Sequence, residues 1–159
     1  MEMAFERKNI GTDAALRKIR HYCSYQERSH AEVKEKLYGY GLYKTEVEEM
    51  LSRLIEDNYL NEERFAVAFA GGKFRMKQWG KTKIRYELKQ KQVSNYCITK
   101  ALASIPDDDY EKTFRALAAK KTGELKSEKN IFTKKKKLQN YLVGKGYEFD
   151  MISEVVNTI

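Results

Sequence analysis

Proline occurs once in 159 residues and cysteine twice, and both scarcities narrow the choice of fold. With proline confined to position 106, nothing in the composition breaks helical patterns elsewhere. Cys23 and Cys97 are far apart and form no CxxC pair, so neither a disulfide framework nor a zinc cage is indicated, and a reducing compartment suits them. His21 and His30 make no metal-ligand pattern. No stretch approaches the roughly 18 apolar residues that a membrane span needs, and the first ten residues lack a signal-peptide core. The expectation is a soluble cytoplasmic protein without a membrane partner.

Acidic residues are scarce in one place. The net charge is +8, yet residues 12–60 hold 8 basic and 9 acidic residues, residues 106–159 hold 11 and 9, and residues 1–11 net zero. Residues 61–105 hold 10 basic and 3 acidic residues, so nearly all the excess sits in the middle third. A local excess of this kind favours a polyanionic partner. Charged residues make up 34% and hydrophobic residues 42%, which suits surface-rich amphipathic helices and predicts an all-α fold.

What the chain does have is an internal repeat. Val33, Leu37, Leu42 and Val47 align with Ile84, Leu88, Val93 and Ile98, and again with Leu138, Leu142, Tyr147 and Ile152, at offsets of 51 and 54 residues. Each copy ends in apolar residues at helical spacing (Met50/Ala101/Val155, Leu51/Leu102/Val156, Leu54/Ile105/Ile159), and each is preceded by a further amphipathic segment. The pattern predicts an N-terminal extension (1–11) and three three-helix units (12–60, 61–105, 106–159). Such small units need to lean on one another, so the array should be elongated and curved. Ser29 with Glu32 and Thr45 with Glu48 read as capping boxes, while Asn61, Ser94, Asp107 and Thr133 read as helix starts. Gly41 and Gly146 share a repeat position that ends a helix in the left-handed region. Gln92 stands there in the middle copy, at about 1 kcal/mol if that conformation is kept.

Two segments carry a resemblance. Residues 57–66, DNYLNEERFA, with Tyr59, Leu60, Asn61, Arg64, Phe65 and Ala66, are similar to the stretch joining the first two units in the RecX family. Gly80, Lys83, Ile84, Glu87 and Leu88, followed by Lys91-Gln92-Val93, resemble a second family motif, with Asn61 where the family usually has Asp and Gln92 where it usually has Gly. The likeness runs along nearly the whole chain and is weakest in the third unit. It implies tandem three-helix repeats that lodge in the groove of a RecA–DNA filament and lower its ATPase and strand-exchange activity. It implies no catalytic machinery and no cofactor.

From residues alone, the candidate binding surface is Lys73, Arg75, Lys77, Lys81, Lys83, Arg85, Lys89 and Lys91 with Trp79 among them, opposed by Glu87 only. Lys81, Arg85 and Lys89 fall at i, i+4 and i+8, a cationic ridge opposite Ile84 and Leu88. Such a ridge meets phosphates or an acidic groove, or is simply solvated. Trp79 either stacks on a partner or fills a seam, and Tyr38, Tyr40 and Tyr43 form a contact surface or cover the core. Lys134, Lys135, Lys136 and Lys137 follow Thr133, where positive charge opposes the helix dipole, so the helix starts late or a polyanion compensates there. Gly80-Lys81-Thr82 imitates the end of a P-loop, but Arg75 stands where its first glycine belongs. Nothing argues for an enzyme. The expected partners are a RecA filament and DNA, met by a monomer; rival readings are a stand-alone nucleic-acid-binding protein or an adaptor for another protein.

Overall fold

The computed structural model describes residues 8–159, so the first seven residues of the expected N-terminal extension lie outside it. Among the described residues the chain is all-helical: α1 (Thr12–Tyr25), α2 (His30–Gly39), α3 (Lys44–Glu56), α4 (Glu62–Lys77), α5 (Lys81–Gln90), α6 (Asn95–Ala103), α7 (Asp107–Glu124), α8 (Ile131–Lys145) and α9 (Phe149–Val156). Among these residues no helix is long and apolar enough to cross a membrane.

Four of the nine described helices start at a side chain that accepts an otherwise unpaired amide of the first turn. Ser29 Oγ accepts from the Glu32 amide and Glu32 Oε2 accepts from the Ser29 amide, both at 3.1 Å, a complete capping box. Asn61 caps α4 through the Arg64 amide (2.8 Å) and Ser94 caps α6 through the Cys97 amide (3.3 Å). Two expectations are corrected. Helix α3 begins at Lys44, and Glu46 accepts from the Tyr43 amide at 3.0 Å, so the Thr45/Glu48 box does not form and Thr45 lies inside the first turn. Helix α8 begins at Ile131 because Asn130 Oδ1 already accepts from the Phe132 and Thr133 amides, which puts Thr133 within the helix.

The repeat position that ends the second helix of each unit is left-handed in all three copies, with φ of 84° at Gly41, 62° at Gln92 and 94° at Gly146. Gln92 keeps the conformation because the turn around it is fully bonded. Its amide donates to Lys89 O (3.0 Å) and the Val93 amide donates to Leu88 O (3.1 Å), while Val93 and Leu88 are both buried.

All twelve repeat anchors are buried. They form two cores rather than three. Ile19, Val33, Leu37, Val47, Leu54 and Leu60 fill the α1–α3 core, whereas α4–α9 share one continuous core that includes Phe65, Ile84, Leu88, Leu117, Leu138, Leu142 and Ile152. Burial of each large side chain is worth about 1.5–3 kcal/mol, so the larger shared core contributes more of the stability. The accessible surface of 10,676 Å² exceeds the about 8,300 Å² of a compact monomer this size, which makes the array elongated.

Candidate functional site

The basic middle unit is held at both ends, and the two attachments differ in kind. Toward the first unit the attachment is largely polar. Arg64 Nε donates to Glu27 and its Nη atoms donate to Asn58 Oδ1 (3.2 Å) and Asn58 O (3.1 Å), while Lys91 Nζ meets Glu32 at 3.2 Å. Asn58 accepts these bonds in a left-handed conformation, φ 63°.

Toward the third unit the shared apolar core is supplemented by bonds from backbone to backbone. The amide of Gly80 donates to Lys145 O at 2.7 Å, and Gly146 O accepts from the amides of Thr82 (2.9 Å) and Lys83 (3.4 Å). The unpaired carbonyls at the end of α8 therefore satisfy the unpaired amides at the start of α5, negative dipole end against positive. Tyr110 locks the same corner: its hydroxyl accepts from the Lys81 amide (2.9 Å) and donates to Glu148 Oε1 (2.7 Å), and burial pushes its pKa well above the usual phenol value. Tyr147, likewise raised by burial, donates to Gln78 O at 2.9 Å.

The candidate residues sort themselves on this frame. Lys73, Lys77 and Lys83 bring their ammonium groups to 5.1, 5.8 and 4.6 Å from the Trp79 ring centroid. The indole is half-buried and packs on the α4–α9 core, so it gathers cations while filling a seam. Lys145 adds a fourth ammonium nearby, bonded to Lys77 O at 3.3 Å. Sequence reasoning missed it; its place just before Gly146 in the third copy was the available signal. Arg85 and Lys89 are exposed on α5, and Arg75 is exposed on α4, lying over Gly71. Lys81 is less free than the ridge pattern implied, since its ammonium lies 4.8 Å from the Tyr110 ring and 3.9 Å from Asp107. Lys91 is committed to Glu32 and to the Phe69 ring, 5.6 Å away.

Of the second lysine group, Lys137 pairs with Glu128 at 3.1 Å, which holds that carboxyl below its usual pKa. The four lysines start one turn into α8, past the strongest part of the dipole. The motif residues are mainly structural: Leu60, Phe65, Ala66, Gly80, Ile84 and Leu88 are buried, and Tyr59 carries Arg20 over its ring at 5.4 Å. Both cysteines are buried and unpaired, and among the described residues no group of three His, Cys, Asp or Glu side chains is disposed to hold a metal ion.

An elongated array of three-helix units, two of them fused through a helix-end joint, defines a helical-repeat protein of the kind that presents a long surface to a partner. The comparisons make it specific. Residues 61–102 match the family model described as RecX, second three-helix domain, and residues 107–156 match RecX, third three-helix domain. The chain belongs to the RecX family. It is 33% identical over 130 residues to a regulatory protein RecX of Clostridium botulinum, covering 81% of this chain and 60% of that one. It is 31% identical over 132 residues to the regulatory protein RecX of Bacillus cytotoxicus, covering 82% and 48%. The chain thus spans about half to three fifths of these relatives' length. The crystal structure of RecX from Lactobacillus salivarius superposes with a TM-score of 0.82 at 22% identity, covering 92% of this chain and 95% of that one, a likeness of fold.

Proposed function

We propose that this chain regulates recombination by binding a RecA–DNA filament, with the exposed basic face of α4 and α5 set against filament DNA or an acidic filament surface. The observation that carries the reading is the gathering of Lys73, Lys77 and Lys83 around one indole beside the exposed Arg85 and Lys89, with no carboxylate within 4.0 Å of any of the five among the described residues. Cations left unneutralised by the fold are available to a polyanion. The relatives' name, regulatory protein, supports a controlling role rather than a catalytic one.

Mechanistically, a rod that touches several filament protomers hinders the conformational cycle that ATP turnover requires, without chemistry of its own. The shared α4–α9 core suits this, because it holds the last two units together as one body. The test is DNA-dependent ATP hydrolysis by the cognate RecA with and without the protein. A fall at substoichiometric amounts is expected; unchanged turnover at several-fold excess sinks the proposal. Tight binding to free DNA with no effect on RecA would favour a stand-alone nucleic-acid-binding protein instead.

A further inference from the structure

The first unit is acidic by count, and its basic residues nevertheless converge on one place. A shallow, open cleft of about 580 Å³ runs between α1 and α2. Arg17 and Lys18 line one wall and Lys36 the other, with Arg28 from the connecting loop between them, and no Asp or Glu lines it. Among the described residues none of these four cations has a carboxylate within 4.0 Å. Glu32 and Glu35 lie near Tyr22 but outside the lining, and Glu32 is committed to Lys91.

Aromatic rings stand beside three of these cations. The Arg28 guanidinium lies 3.8 Å from the Tyr22 ring centroid, and its Nε donates to Tyr22 O at 3.0 Å, so a backbone carbonyl fixes it and leaves its charge intact. Lys36 stands 5.3 Å from the same ring, and Lys18 stands 5.9 Å from Tyr40. Tyr25, 78% exposed, keeps its ring open to solvent 6.0 Å from Arg28. Unneutralised cations beside open flat faces suit alternating phosphates and bases, with the phosphates on the ammonium groups and a base on Tyr25. A duplex hides the faces of its bases, and an acidic peptide has few flat rings to offer.

We propose that the α1–α2 cleft binds one or two nucleotides of a single-stranded nucleic acid. This site is separate from the α4–α5 face, and its test does not involve RecA. The full chain is photo-crosslinked to an oligothymidylate carrying 4-thiothymidine, and the adducts are mapped by mass spectrometry. Adducts between Arg17 and Tyr40 are expected; adducts only between Lys73 and Lys91, or none, overturn the proposal. In parallel, Tyr25→Ala should weaken oligothymidylate binding about tenfold or more while leaving duplex binding unchanged. Equal losses for strand and duplex overturn it, as does displacement of the oligonucleotide by polyglutamate of matched charge. Tyr25 is too exposed for its truncation to unfold the unit, and crosslinking of the wild-type chain requires no variant at all.

Discussion

Gly80 and Gly146 meet with no room for a side chain on either: a Cβ on Gly80 would lie 2.4 Å from the Gly146 carbonyl, and one on Gly146 would lie 2.1 Å from Lys83 Cβ. The contact is what lets the end of α8 cap the start of α5. Gly80→Ala should therefore cost about 1–3 kcal/mol through overpacking. Gly146→Ala should cost about 1–2 kcal/mol more, because its φ of 94° is left-handed. Hydrogen exchange is the check. Amides of Gly80, Thr82 and Lys83 should exchange faster, with α1–α3 unchanged; an unaltered joint in either variant would contradict the assignment.

Gln92 holds a left-handed conformation that glycine adopts freely. Gln92→Gly should stabilise the chain by about 1 kcal/mol, since the turn's hydrogen bonds use only backbone. For a protein of this size that corresponds to a rise in Tm of about 2–4 °C. A fall in Tm would mean that the Gln92 side chain contributes something the geometry does not reveal.

The three copies were legible in the sequence because burial imposes a helical spacing that survives even where residue identities change, as Val33, Ile84 and Leu138 show. The left-handed turn at Gln92 was only half legible: its register with Gly41 and Gly146 pointed to it, but a glutamine at that place left open a differently shaped turn. The fusion of the last two units was not legible. Its backbone joint depends on Lys145 and Gly146 meeting the start of α5 from more than 60 residues away, and hydrogen bonds between backbones leave no trace in side-chain patterns. The α1–α2 cleft was hidden for another reason: net charge sums over all faces of a unit, and the carboxylates of α3 cancel cations that lie elsewhere. Likewise, helical spacing placed Lys81 correctly on its ridge but not against Tyr110, which arrives from the neighbouring unit.

Tyr110 and Tyr147 are both raised by burial, so the folded chain keeps their protons at pH values where an unfolded chain releases them. Their contribution is fully present below about pH 10, the ordinary tyrosine pKa, and is lost as pH rises beyond it. Thermal unfolding followed by circular dichroism from pH 8 to 11 should show Tm falling above about pH 10. Tyr110→Phe should lower Tm at pH 8 and flatten that decline. An unchanged slope in the variant would remove Tyr110 from the explanation.

Charge reversal tests the α4–α5 face. Arg85→Glu with Lys89→Glu should leave helical content intact, since both side chains are exposed and such changes usually cost within about 0.5 kcal/mol each. If they meet filament DNA, the slope of log affinity against log salt should flatten by roughly 2, at up to about 0.9 per phosphate contact. The matched control is Lys34→Glu with Lys44→Glu on the first unit; Lys36 is left out because it lines the α1–α2 cleft. Equal losses from both pairs would mean that only total charge matters, and wild-type filament binding by the α5 pair would mean that its charges are merely solvated.

The polar attachment between the first two units gives salt little to act on. Arg64 with Glu27 and Lys91 with Glu32 are each only about one third exposed and touch well inside the Debye length of about 10 Å at 0.1 M salt, where partly buried pairs are screened little. Raising ionic strength therefore weakens a grip on phosphates while it leaves the α1–α3 head attached to the α4–α9 body. The molecule that lets go at high salt keeps the shape of the molecule that held on.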